Sequence, residues 1–287
     1  MKNKIFENTT KNIIENFEKK NTLSAVREIR EKFNTLNIKE IHNWLQTNYP
    51  EFVDKTKEIF NNLIYQPKTA IHNIDEAIAI LGKYKVLETV ILYKILKDTF
   101  LKEDSHIRKQ FYHNIATAIM AHYTVPIFYK TIDSNFEIFI CGFYHNFGKM
   151  LLLNFEKGMY LNIFDESITE NLNFYEVENK VFARSLQILL IIRILKYLEY
   201  PEKMQNIIEF YRSPNLGKYQ KESSILHISD ILVSSLCIGE TGDNKLPEFN
   251  KTVMNYLHLT PDLMKEVFKL IIPRFVDIPK FTKIILF

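Results

Sequence analysis

The pair His145-Asn146, in the run ICGFYHNFGKMLLL, is where the sequence comes nearest to metal chemistry. A histidine beside an acidic residue is how a helical metallohydrolase holds a cation. The imidazole supplies a neutral nitrogen, and the carboxylate supplies charge and can bridge metals. Here the neighbour is an amide. Asn146 offers a carbonyl oxygen without negative charge, a poorer ligand for a hard dication. Small residues (Cys141, Gly142), aromatics and Gly148-Lys149 surround the pair. Lys149 is expected as a helix-end cation rather than a phosphate ligand. Other chemistry finds little support. Cys141 has no neighbouring base, and no glycine-rich nucleotide cradle is present. His72, His106, His122, His227 and His258 show no partners at a ligand spacing. Satisfied surface or core positions are expected for each.

The elements that must carry this pair read as helices almost everywhere, because apolar residues recur at helical spacing. Val26, Ile29 and Phe33 mark one stripe, and Leu87, Ile91 and Ile95 another. Asn37 with Glu40, and Asn73 with Glu76, are capping patterns that open helices. Pro50 and Thr260-Pro261 mark first turns, and Gly82 a stop. A helix is expected with Phe111, Ile115, Ala118 and His122 on one face and His113, Thr117 and Met120 on another. The next is expected to run from Phe136 through Cys141 and past Gly148. A long helix is expected over 181–198, one opening at Pro201, and one capped by Ser223 or Ser224. The best loops are 154–173, 214–222 and 240–247.

Several segments, in order, resemble the HDOD domain (HD-related output domain), the signalling branch of the HD metal-dependent phosphohydrolase superfamily. NIDEAIAILGKYKVLETVIL is similar to that family's "sIdxAIxxLG" element, FYHNIATAIMAHY to its "fWxHsxxxAxxa" helix, and IFICGFYHNFGKMLLL to its "aFxaGLLHdiGkl" helix. ILHISDIL is similar to a later helix with a terminal aspartate. The resemblance runs from about Leu23 past Asp230. It implies that His113 is the first histidine of the HD site and His145 the histidine of the HD pair. Asn146 then stands in place of the HD aspartate, and Asp230 in place of the last aspartate. The family's fuller members carry further histidines near Leu186-Gln187 and Tyr211-Arg212, where this chain has none. These four residues are therefore expected as a vestigial site. His113 and His145 are expected as core histidines bonded to a neighbour such as Asp230 or a backbone carbonyl. Were a metal present, His113, His145 and Asp230 would hold it.

The totals set the remaining bounds. The chain has 287 residues, 46% hydrophobic and 25% charged, which is globular composition. Only 7 glycines and 9 prolines break it, which favours long helices. Lys+Arg 37 against Asp+Glu 34 leaves a small excess with no basic stripe, so a nucleic-acid partner is not expected. Cys141 and Cys237 are expected as buried free thiols in a cytoplasmic protein. The run Ile188 to Leu195, broken by Arg193, is too short to span a membrane.

The expected fold is all-α, an HDOD/HD-like multi-helix bundle. Residues 1–95 form an N-terminal helical part, 96–235 the HD-like core, and 236–287 C-terminal helices packed on that core. The expected function is a non-catalytic bacterial signalling module working through protein partners or a small phosphate ligand. No cofactor is required, and a weakly bound divalent metal is the exception allowed. The alternative is a residual metal-dependent phosphohydrolase acting on a nucleotide or phosphate ester.

Overall fold

The computed structural model describes residues 2–62, 64–100, 104–128, 135–183, 185–239, 245–246 and 249–286. Among these residues every regular element is helical and there is no strand. In chain order the α-helices are α1 (Lys2–Lys19), α2 (Thr22–Thr35), α3 (Ile38–Asn48), α4 (Pro50–Asp54), α5 (Thr56–Phe60), α6 (Ile74–Leu81), α7 (Lys83–Thr99), α8 (Ser105–Phe128) and α9 (Asn135–Tyr144). They continue as α10 (Phe147–Phe155), α11 (Lys157–Glu170), α12 (Phe174–Phe182), α13 (Leu186–Tyr197), α14 (Glu202–Phe210), α15 (Gln220–Ser235), α16 (Lys251–Tyr256), α17 (Pro261–Ile271) and α18 (Ile278–Leu286). Two 3-10 turns, Pro214–Leu216 and Ile272–Asp277, join some of them.

Local chemistry sets many of these boundaries. Asn37 caps α3 in a reciprocal box, accepting from the Glu40 amide while Glu40 accepts from the Asn37 amide. Asn73 accepts from the Glu76 amide at the start of α6, and Asn173 forms a second full box with Glu176 on α12. Pro50 and Pro261 occupy first turns, where a missing N–H costs nothing. Among the described residues no helix is long and apolar enough to cross a membrane.

The chain forms two compact units. One joins residues 16–103 with 274–287. In it α2 and α6 pack on α7, α3 lies against α4 and α6, and α18 packs on α5 and α7. Phe281, Ile284 and Ile285 are the buried face of α18. The other joins 1–15 with 104–273 and is built around α8. Against α8 pack α9, α10, α15 and α17, while α13 lies on α10 and α14, and α14 on α9 and α15. Of the C-terminal segment, α17 thus packs with the α8 unit and α18 with the other.

Several sequence expectations are corrected. The helix expected from Phe136 past Gly148 is two helices, α9 and α10, with His145-Asn146 in the turn between them. The long helix expected over 181–198 is also broken. Ala183, in the left-handed region at φ 60°, ends α12, and Ser185 caps α13 by accepting from the Ile188 amide. The loop expected at 154–173 contains α11, whose buried stripe is Tyr160, Ile163 and Ser167. Ser223 and Ser224 do not cap α15 but lie buried inside it. Of the loop expected at 240–247, Glu240 to Asn244 and Pro247 lie outside the described residues. Cys141 is buried as expected, but Cys237 is exposed, because it follows the end of α15.

Candidate functional site

The four residues named from the sequence come from three regions of the α8 unit. His113 lies on α8, His145 and Asn146 in the α9–α10 turn, and Asp230 on α15. Gly142 makes their meeting possible. A Cβ at Gly142 would sit 2.6 Å from the Ala118 Cα, so α9 crosses α8 almost backbone to backbone. Gly148 does the same for α10 and α13, where an added Cβ would sit 2.1 Å from the Gln187 carbonyl oxygen. Both turns of chain that flank His145-Asn146 are therefore held by contacts only glycine permits.

One carboxylate oxygen gathers the two imidazoles. Asp230 Oδ1 lies 2.9 Å from His113 Nε2 and 3.3 Å from His145 Nε2. Thr117 Oγ1 lies 3.4 Å from His113 Nε2, one helical turn along α8. All three residues are buried, and their ligand atoms lie within 4.8 Å of one another. His145 Nδ1 lies 2.6 Å from the Gly142 carbonyl oxygen. A carbonyl can only accept, so the proton sits on Nδ1 and, in the neutral ring, Nε2 presents its lone pair.

The electrostatics sharpen that geometry. Burial pushes the His145 imidazole below its ordinary value, against the pull of Asp230 and of its bond to Gly142. Burial alone would raise the Asp230 carboxyl. The charge of His145 and the hydrogen bonds from His113 and His145 outweigh it and hold the carboxyl well below the usual carboxylate range. Protonated, His145 donates Nε2–H to that oxygen 3.3 Å away; neutral, with its proton on Nδ1, it sets a lone pair there instead. Two acceptors in that relation leave a place that a cation completes. The donor set of two imidazole nitrogens and one carboxylate oxygen fits a single borderline dication such as iron, zinc, nickel or manganese. The backbone bond that fixes the His145 tautomer is the usual outer support of such a ligand.

Asn146 does not join the cluster. It is fully buried, and neither its amide oxygen nor its amide nitrogen has a hydrogen-bond partner among the described residues. His113 Nδ1 is likewise buried without one. The Tyr211 ring lies 5.4 Å from that of His145 and nearly perpendicular to it.

A neighbouring polar group was not legible as such in the sequence. Lys149 is not a helix-end cation. It lies in the first turn of α10, completely buried, with Nζ 5.0 Å from the centre of the Phe174 ring. Glu178, also completely buried, accepts from the Gln187 amide at 2.9 Å and from Ser185 Oγ at 2.7 Å. Burial pushes its carboxyl up to about 7, against those bonds and the nearby charges of Lys149 and Arg212. Glu178 could have been noticed as the acid seven residues before the Ser185 cap. Nothing in the spacing marked Lys149 as buried.

Two of the remaining histidines, His122 and His227, have different surroundings. His122 is half-buried among the rings of Tyr123, Phe136 and Phe139. His227 is a satisfied core histidine: its Nε2 accepts from the Asn250 amide at 3.3 Å, and it bonds the Tyr211 backbone. Burial lowers it from 6.5 to about 4, assisted by Arg212 and opposed by Asp230 and the Tyr211 bond. In the folded chain it binds its proton later than in the unfolded chain, so its contribution is intact above pH 6.5. Acidification from there to about pH 4 is expected to cost about 3 kcal/mol of stability at this residue. Urea unfolding followed across that range should show the slope, and His227→Gln should flatten it. An unchanged slope in the variant would assign it elsewhere.

Comparison with known proteins gives a family and a fold. A family model described as HDOD domain matches residues 58–227. The chain is similar to an HDOD domain protein with unknown function from Geobacter sulfurreducens, at 14% identity and TM-score 0.70, over 89% of this chain and 91% of that one. A structure from Shewanella amazonensis SB2B, described as a "Putative phosphohydrolase", is 15% identical with TM-score 0.68, over 91% and 93% of the two chains. Another from Marinobacter aquaeolei VT8, described as a "Putative signal transduction protein", is 13% identical with TM-score 0.68, over 91% of this chain and 58% of that one. No curated protein matches the chain. At these identities the structural likeness speaks to the all-α, HD-like fold alone.

Proposed function

The chain belongs to the HDOD domain family, and from that premise we propose that it is a non-catalytic regulatory module of bacterial signal transduction. In this reading it acts in the cytoplasm through protein partners or a small phosphate ligand. The observation that carries the reading is Asn146. Beside His145, where an HD centre keeps a carboxylate, stands a completely buried amide with neither of its polar atoms engaged. Metal-assisted hydrolysis needs ligands enough to fix the cation and charge enough to support an activated water, often with a carboxylate bridging two ions. Two imidazoles and one carboxylate can hold one dication, and Asn146 contributes no bridge. His113, His145, Asn146 and Asp230 then form a vestigial centre whose bonds join α8, the α9–α10 turn and α15.

Where a divalent ion is bound, it would supply Lewis acidity, and His113, His145 and Asp230 would hold it. Gly142 orients the His145 ring by accepting from Nδ1. The compactness of that triad favours the second reading, a residual phosphohydrolase acting on a nucleotide or phosphate ester.

Metal content and turnover separate the two. Protein purified without chelator is expected to carry less than one equivalent of iron, manganese, zinc or nickel. It is also expected to show no metal-dependent hydrolysis of nucleotides or phosphate esters. Stoichiometric metal with turnover that disappears in His113→Ala or His145→Ala would overturn the regulatory reading. Asn146→Asp returns a charged ligand and is expected to tighten metal binding roughly tenfold or more, read by competition titration. An unchanged affinity would mean that residue 146 does not face the cation.

A further inference from the structure

We propose that the surface cavity walled by the α5–α6 loop and Asp277 is a binding site for a small zwitterion of the amino-acid class. All of its lining residues belong to the unit of residues 16–103 and 274–287, and none to the His113–Asp230–His145 cluster. The proposal therefore goes beyond the regulatory reading and does not depend on it.

The described residues between α5 and α6 form no helix, yet side-chain bonds fix their path. Asn61 Nδ2 donates to the Ile71 carbonyl at 2.5 Å, and the Ile71 amide donates to Asn61 Oδ1 at 2.8 Å. One side chain thus closes the loop on itself, as a compact surface loop with adjacent ends requires. Asn62 Oδ1 accepts from the Ile64 amide at 2.8 Å. Gln66 stands in the left-handed region at φ 44°, directly before Pro67, where that backbone is costly. Two bonds hold it there. Its amide donates to the Asn62 carbonyl at 3.0 Å, and its Oε1 accepts from Arg274 at 2.9 Å. Arg274 belongs to the 3-10 turn that ends at Asp277, so the same bond ties the loop to the turn carrying the acid.

The cavity between them holds about 450 Å³, within the range of small-molecule sites. Among the described residues its wall has one cation, Lys68, one anion, Asp277, and no aromatic ring. The donors stand together on Lys68, Thr69 and Ala70. Among the described residues their backbone N–H groups, the Lys68 ammonium and the Thr69 hydroxyl have no hydrogen-bond partner. Such a group of donors suits a carboxylate. Asp277 supplies the opposite pole. A carboxylate has about four acceptor positions, so the interactions it already makes leave others for an ammonium. A ligand of one charge would meet one pole and be repelled by the other, whereas a zwitterion meets both. Asp277 disfavours a free phosphate or a dicarboxylate, and the absence of rings gives a nucleobase nothing to stack on.

The test is titration of the full chain with L-alanine and L-glutamine at neutral pH and constant ionic strength, read by calorimetry and thermal unfolding. Propionate and ethylammonium, each carrying one of the two charges, are the controls. Both amino acids are expected to bind and to raise the unfolding midpoint, and the controls to do neither. Lys68→Met removes the cation at an exposed position, and Asp277→Asn removes the anion while keeping its shape. Each is expected to weaken binding about fivefold. Thr69→Val, which removes only the hydroxyl, is expected to weaken it about threefold. The midpoint of each variant without ligand reports its folding, and Lys68→Met, on the surface, keeps the test decisive if Asp277→Asn unfolds. Failure of both amino acids to bind would overturn the proposal. So would a control that binds as tightly as L-alanine, or unchanged affinity in Lys68→Met.

Discussion

Asp230→Ala is expected to destabilise the α8 unit by about 1.5–3 kcal/mol, the scale of losing a buried hydrogen bond to a charged group. Asp230 Oδ1 is the shared neighbour of His113 Nε2 and His145 Nε2, and no solvent replaces it, because all three side chains are buried. A loss of that size is a large share of the 5–15 kcal/mol that holds a typical domain together. Asp230→Asn keeps the shape and removes the charge, so it should fall between wild type and alanine. The pH dependence carries a sign. The carboxyl is held below its unfolded value, so its contribution is present above the ordinary carboxylate range. It is lost as pH falls through the depressed folded value. Chemical unfolding at neutral and acid pH should show that acid limb in wild type and a reduced one in Asp230→Asn. A loss below about 1 kcal/mol in Asp230→Ala would mean that other contacts join α8 to α15.

Gly148→Ala is the second large effect, expected to cost about 3 kcal/mol or more. The added methyl would lie 2.1 Å from the Gln187 carbonyl oxygen and 2.8 Å from its carbon. Both are backbone atoms, so no rotamer can relieve the contact and α10 must move away from α13. Gly158→Ala is the matched control. It lies at the start of α11, nothing stands within 4 Å of its added Cβ, and it is expected to be neutral or slightly stabilising. Thermal unfolding of the two variants side by side checks the pair. Equal midpoints would show that the α10–α13 contact yields freely.

Much of the helix pattern was legible because it is local. The Asn37–Glu40 box, the Asn73 cap and the first-turn prolines act over three or four residues, and each opens a helix as read. Helix continuity was less legible. The apolar residues of 136–155 continue at helical spacing through His145-Asn146, so periodicity alone saw one helix. The same happened at 181–198, where the break depends on Ala183 taking a left-handed backbone usually left to glycine. The site divides in the same way. His113, His145, Asn146 and Asp230 were named through motif order, and the structure brings His113, His145 and Asp230 together across 117 and 85 residues of chain. Asn146 stays beside them, buried and unengaged. The charge of Lys149 reads as a helix-end cation, while its burial follows from packing against Phe174, a residue on another helix.

The pairing of residues 16–103 with 274–287 bears on how the polypeptide acquires its structure as it is made. The ribosome delivers α5 and α7 early, with the apolar surface that α18 later covers. It delivers Phe281, Ile284 and Ile285 only after the whole of 104–273. The α8 unit is the first whose parts are all present. Through that interval the unit of residues 16–103 is incomplete, its closure set by a contact of very long sequence separation. A nascent chain halted near residue 273 should therefore bind an apolar-surface dye or a holdase chaperone, and release it once α18 emerges.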